Sequence, residues 1–233
     1  MKRLLLIIIV SLVILGCTAE VKEEKSAGPS ATETAATNQN EIQLPEPRLD
    51  SNTSIEQAIK QRRSIREYSG AALKLADLSQ LLWAAQGITE DGKRAAPSAG
   101  ATYPLELYIV AGNVDGLDAG TYHYIPETHS VKKVKDGDLR TELGAAAMGQ
   151  LFIAEAPAAI VFTAVYERTT SRYGDKGERY VHMEAGHAAE NVCLQAESLG
   201  IGTVTVGSFS ESAVKLLLGI KEDPLYIMPV GYK

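Results

Sequence analysis

The run Ala158-Ala159-Ile160-Val161-Phe162-Thr163-Ala164-Val165, directly behind Pro157, is apolar almost without interruption. Its length suits a strand, and its lack of alternation predicts a strand covered on both faces, with helices above and below its sheet. Downstream, Val181, Ala185, Ala188, Val192, Ala196 and Leu199 recur at spacings of three and four, which predicts a long helix from about Glu178 to Leu199. So many alanines imply that this helix packs closely on a sheet or on another helix.

The pattern continues outward in both directions. Thr203 to Val206 and Leu225 to Val230 read as short strands with a helix from Ser210 to Leu218 between them. Upstream, Leu105 to Ala111 is a strand, and Gly120 to Ile125 with Val131 to Val134 forms a hairpin around Pro126-Glu127-Thr128-His129. Asp138 to Met148 returns to helix. Two overlapping capping boxes, Thr53 with Glu56 and Ser54 with Gln57, open a first helix that leads into Arg62. Leu75, Leu78, Leu81, Leu82 and Ala85 share the stripe of a second helix, for which Gly87 is the expected left-handed cap. The class is mixed α and β, in one domain.

The chain has 233 residues, 29 acidic and 23 basic, for a net charge of -6, which argues against broad nucleic-acid binding. Residues 1–16 resemble a secretory signal, with Lys2 and Arg3 followed by the apolar run Leu4 to Leu15, too short to span a bilayer comfortably. Ile14-Leu15-Gly16-Cys17 resembles a lipobox, so Cys17 is the expected lipidation site and the protein is expected to be exported and anchored to the cell-envelope membrane. Residues 17–52 lack any aromatic side chain and are read as a lipidated cysteine with a flexible tether, leaving 53–233 as the folded domain. With Cys17 lipidated, Cys193 is the remaining cysteine, a small core residue with no disulfide partner.

Several chemistries are excluded by motif, since G-x-S-x-G, H-E-x-x-H, C-x-x-C and G-x-G-x-x-G are all missing. His182 and His187 lie about 140° apart on a helix and cannot face one ion, and Glu184-x-x-His187 has no second copy, so no metal is expected. The sharper feature is Arg62-Arg63-Ser64-Ile65-Arg66, three guanidiniums and a hydroxyl in an acidic protein. Such a donor set suits an anion, with a phosphate monoester a good candidate. It is equally compatible with arginines that complement a helix C-terminus.

Together with Pro97-Ser98-Ala99-Gly100-Ala101-Thr102-Tyr103-Pro104, the arginine cluster resembles the FMN-dependent nitroreductase superfamily, and within it the SagB-type dehydrogenases, the McbC-like branch. Gly120-Thr121-Tyr122-His123-Tyr124, Arg172-Tyr173-Gly174, Glu184-Ala185-Gly186-His187, Gly200-Ile201-Gly202-Thr203 and Pro229-Val230-Gly231-Tyr232 extend the likeness over residues 54–233. The resemblance implies an α+β sandwich, a central mixed sheet flanked by helices, in a homodimer that holds FMN. It implies that Arg62, Arg63, Ser64 and Arg66 hold the phosphate and ribityl chain, with Lys233 as a further basic contact. Pro97, Ser98, Ala99 and Gly100 would line the ring, and Gly202, Thr203 and Val204 would approach its edge, where small residues leave room.

The implied activity is an FMN oxidoreductase acting on a small redox substrate, with Tyr173 and Arg172 as catalytic residues. Arg172 stands where SagB-type azoline oxidases often carry lysine, and a guanidinium is a poor base because its pKa exceeds about 12. That departure keeps an alternative open, a catalytically inactive, lipid-anchored module that binds flavin or another anion.

Overall fold

A computed structural model describes residues 41–233. The signal segment and Cys17 lie outside the described residues. Strand β1 (Glu41–Gln43) leads into helix α1 (Ile55–Gln61), β2 (Leu73–Lys74), α2 (Leu75–Gln86), β3 (Leu105–Ala111) and β4 (Val114–Asp115). The hairpin β5 (Gly120–Ile125) and β6 (Ser130–Asp136) follows, then α3 (Arg140–Ala146), α4 (Leu151–Glu155) and β7 (Ala158–Ala164). The chain closes with α5 (Glu167–Tyr173), α6 (Lys176–Leu199), β8 (Ile201–Thr203), α7 (Glu211–Leu218) and β9 (Asp223–Tyr232).

Seven strands form one sheet in the order β1-β6-β5-β3-β7-β9-β8. The apolar run quoted above is β7, paired between β3 and β9 with every residue buried. Its side chains divide by parity. Ile160 and Phe162 join Leu78, Leu81, Leu107, Ile109 and the α6 residues Val181, Ala185, Ala188 and Val192 in one core. Ala159 and Val161 point the other way, into a second core with Tyr108, Val110, Leu143, Ile153, Val214 and Leu218. Helices α2 and α6 therefore cover one face, and α3, α4 and α7 the other, the α+β sandwich that a doubly buried strand demands.

Four expectations need correction. The sheet is antiparallel at each of its pairings rather than mixed, and parallel pairing is confined to β2 with β4 and a single bridge from Ser64 to Thr203. The domain begins before Thr53, because Glu41–Gln43 pair with β6 and Leu44 is buried. The backbone of Gln43 and Leu44 and the network Tyr124–His129–Ser79–Pro45 hold this strap, which composition alone reads as tether. Gly87 is extended (φ -63, ψ 156), not left-handed. It is needed for space: a Cβ there would lie 2.1 Å from the Trp83 ring. Finally, Arg172 and Tyr173 sit at the end of α5, a helix the sequence reading did not anticipate.

Gly87→Ala should therefore destabilise the domain by about 1–3 kcal/mol, because the added methyl forces Trp83 from its seat at the end of α2. Urea unfolding with an unchanged m-value and a lowered midpoint is the expected outcome.

Candidate functional site

Helix α1 starts in the predicted capping box, Ser54 accepting from the Gln57 N–H and Gln57 accepting from the Ser54 N–H. It stops at Arg62, where the backbone turns extended. Arg63 folds back, its Nη1 donating to the carbonyls of Lys60 (3.1 Å) and Arg62 (2.7 Å), so in this structure it caps the helix end. Arg62 Nε lies 3.6 Å from Glu190 on α6, both side chains well exposed, a contact of little strength. Past them the chain runs beside the edge strand β8, with the Ile65 N–H donating to Thr203 O at 3.0 Å. A Cβ on Gly202 would lie 2.5 Å from Ile65 Cγ2. The missing side chain at Gly202 thus makes room for Ile65.

The segment Ser98 to Tyr103 is a tight hairpin with left-handed backbone at Gly100 (φ 62), Ala101 (φ 53) and Tyr103 (φ 44). Two of these carry a Cβ, and such strain persists only where surrounding contacts over-determine it. They do so here. The Ser98 hydroxyl accepts from the Tyr103 N–H at 2.9 Å, and Thr102 Oγ1 donates to Ala99 O and meets Thr169 Oγ1 at 2.8 Å. From α5, Arg168 Nη1 donates to Tyr103 O at 2.9 Å and Arg172 Nη1 to Gly100 O at 3.0 Å. A Cβ on Gly100 would meet Tyr173 Oη at 2.5 Å and Arg172 Nη1 at 2.8 Å. The two candidate catalytic side chains therefore close on the same hairpin that carries Pro97, Ser98 and Ala99.

Two carboxyls near this arrangement have shifted pKa values, one half-buried and one buried. Glu106 on β3 holds His123 at 2.7 Å and Arg168 at 2.6 Å. Burial alone would raise its pKa, but the bonds from His123 and Arg168 outweigh it and hold the carboxylate below its usual range. This anchors the start of α5. Glu184 on α6 is only 2% exposed, with Oε1 unpartnered among the described residues. Burial pushes its pKa up to about 7, against the lowering effects of Ser98 and Arg94.

Along α6 the pieces stand in a row. Tyr180 packs edge-on against Tyr173, Glu190 meets Arg62, and Asn191 donates to the carbonyls of Ala84 and Ala95. Thr203 and Val204 are buried beside the arginine end, with the Thr203 hydroxyl lacking a partner among the described residues. Arg66 and Lys233 are not drawn into the cluster. The Arg66 guanidinium lies 5.7 Å from the Phe152 ring centre, and Lys233 Nζ pairs with Glu197 at 2.7 Å. Arg168 and the burial of Glu184 escaped the sequence reading. The signal for Glu184 was available, because it stands three residues after Val181 at the border of the buried alanine stripe.

Residues 59–232 match the model of the nitroreductase family. This chain belongs to that family. It is 50% identical over 194 residues to a protein of Methanocaldococcus jannaschii named as a nitroreductase, covering 83% of this chain and 96% of that one. A nitroreductase-named structure from Ralstonia eutropha superposes with a TM-score of 0.73 at 30% identity, over 84% of this chain and 90% of the other. The NADPH-flavin oxidoreductase of Vibrio harveyi is 30% identical over 113 residues, 44% of this chain and 47% of its own length. The chain is thus a nitroreductase-family oxidoreductase related to flavin-dependent enzymes.

Two outcomes follow from the geometry. In Gly100→Ala the atoms met are the far ends of Tyr173 and Arg172, so the pair should swing away at a cost of roughly 1 kcal/mol in stability. Thermal unfolding should change little while turnover falls much further. Because the native state keeps the Glu184 proton that the unfolded chain has already lost, stability should fall as pH rises from about 4.5 to about 7 and level off above. Glu184→Gln should remove that slope, on the order of 1–3 kcal/mol, in urea titrations across this range.

Proposed function

We propose that this protein is an FMN-dependent oxidoreductase of the SagB-type branch, a homodimer exported and lipid-anchored through Cys17. The observation that carries the reading is the convergence of Arg172 and Tyr173 on Gly100, in one hairpin with Pro97, Ser98 and Ala99. The residues present fit the cofactor. Arg62 and Arg63 put two accessible guanidiniums and Ser64 a hydroxyl at one end, a donor set for a phosphate monoester. At the other end the strained hairpin offers its backbone and the Ser98 hydroxyl.

When bound, the flavin supplies two-electron transfer through its ring nitrogen N5. The chain's own residues do the rest. Arg62, Arg63 and Ser64 bind the phosphate, and release of Arg63 from the exposed α1 terminus presents both guanidiniums together. The hairpin orients the ring. Tyr173 holds a proton at its hydroxyl where the substrate arrives. Arg172, always charged, orients Gly100 and attracts an anionic substrate, which sets this site apart from one that uses lysine as a base. Outside the cytoplasm nicotinamides are scarce, so a membrane quinol stands beside NADH and NADPH as a candidate electron donor.

The purified full-length protein should be yellow, with a flavin absorption band that dithionite bleaches. A colourless protein that ignores added FMN overturns the reading. Replacing Arg62 and Arg63 by Ala should weaken FMN binding on the order of 100-fold, the loss of two charge-assisted contacts. Stopped-flow reduction with NADH, NADPH and a quinol analogue identifies the donor. Sustained turnover with artificial acceptors excludes an inactive binding module.

A further inference from the structure

Tyr103, at the end of the strained hairpin, forms one wall of a cleft of about 370 Å³ that none of the residues assigned to the cofactor lines. Arg94 and Arg168 both face it, with Glu106, His123 and Glu127. Arg94 lies over the Tyr103 ring, its Cζ 5.3 Å from the ring centre, and Arg168 donates to the Tyr103 carbonyl at 2.9 Å. Two guanidiniums thus grip one residue whose backbone is left-handed (φ 44).

The two arginines are partnered differently. Arg168 donates to one oxygen of Glu106 at 2.6 Å, while the other oxygen meets His123 Nε2 at 2.7 Å, so this carboxylate is engaged on both sides. Arg94 donates to the Gln86 carbonyl at 3.1 Å and to Glu127 at 2.6 Å. Its side chain is 12% exposed, whereas that of Glu127 is 63% exposed. A guanidinium so far withdrawn from water needs an anion beside it, yet an anion on a solvated turn holds its place weakly because water competes for it. Glu127 fills the position of an acid without being fixed there. Each guanidinium has five N–H donors, and among the described residues two are taken on Arg94 and two on Arg168. The remaining donors suit the paired oxygens of a carboxylate.

We infer that this cleft is a subsite for the carboxylate of the redox substrate, and that Glu127 occupies Arg94 until that carboxylate displaces it. With Glu127 swung into solvent, two guanidiniums face the single carboxylate of Glu106, an excess of one positive charge that matches a monoanion better than a phosphate. The volume is that of a small ligand group. Arg168 and Arg172 stand one turn apart on α5 and hold Tyr103 and Gly100 of the same hairpin, so a substrate fixed here by its acid lies beside the residues that converge on Gly100. That the carboxylate belongs to the redox substrate rests on the oxidoreductase reading above, whereas the site itself does not.

The test has two arms. In the first, benzoate is titrated into the full-length protein with its four histidine rings isotopically labelled. Bound benzoate should move the His123 resonance, assigned by its loss in His123→Gln, more than the other three. Glu127→Gln, which removes the resident carboxylate, should tighten benzoate about fivefold, and Arg94→Gln should weaken it about tenfold or more. Opposite signs separate a displaceable stand-in from a structural ion pair, for which both variants act alike. Glu127 lies on an exposed turn, so its variant carries the test even where loss of Arg94 unfolds the domain. Benzoate that leaves His123 unmoved, or binds Glu127→Gln no better than native protein, overturns the inference. In the second arm, flavin-loaded protein is reduced photochemically and mixed with para-nitrobenzoate or its neutral counterpart para-nitrobenzamide. The preference for the acid, taken as the ratio of second-order rate constants, should rise about fivefold in Glu127→Gln and fall about tenfold in Arg94→Gln. A preference that stays within about twofold in both sinks the assignment to the redox substrate. Protein that takes up no flavin, or reacts with neither compound, counts instead against the oxidoreductase reading, and the benzoate titration still decides the site.

Discussion

The close approach of helix α6 to the sheet is the constraint on which the rest depends. Val181, Ala185, Ala188, Val192 and Ala196 are all buried, and four of the contacts that build the site leave from other positions on the same helix. Small side chains let the axis lie near β3 and β7, and a helix held this rigidly works as a ruler. Tyr180, Glu190, Asn191 and Gln195 then meet four separate pieces of chain, namely α5, the end of α1, the segment at Ala95 and α2. A bulky substitution on the alanine stripe would displace all four together, since interiors packed to this density transmit a shift rather than absorb it.

The parts of the fold legible in the sequence were those with an unbroken period. The run at 158–165, the α6 stripe and the hairpin around Pro126 to His129 each correspond to an observed element. What escaped were elements stabilised by partners far away. Helix α5 is seven residues long, mostly polar, and held by Arg168 on Glu106 and Thr169 on Thr102, which no local pattern reveals. Likewise the strap at 41–48 is polar and proline-bearing, yet the Gln80 side chain bonds both the N–H and the carbonyl of Arg48. Composition describes what a segment can bury by itself, not what a neighbour will do for it.

The candidate site was legible as chemistry and illegible as geometry. Arginine next to arginine in an acidic chain announces an anion, but only the fold shows that Arg63 spends its donors on the α1 terminus, and that Lys233 answers to Glu197. The glycines teach the same lesson. Gly100 has the positive φ that its type suggests, whereas Gly87 and Gly202 have none and exist because Trp83 and Ile65 occupy the volume of a side chain. One residue type serves two purposes, backbone freedom and absent volume, and sequence alone cannot tell them apart.

Sheet order adds a consequence for the lipid-anchored reading. The first described strand, β1, is one edge of the seven-stranded sheet, and β8, against which Ser64 and Ile65 lie, is the other. Six inter-strand steps separate them, about 30 Å at the usual spacing. A chain tethered through residues before Glu41 is therefore held at the edge opposite its arginines. On that reading any load from the anchor would fall first on β1, Leu44 and the His129 network, at the far side of the sheet from Arg62. The strap itself is fastened by Ser79 and His129, both of which meet the Pro45 carbonyl.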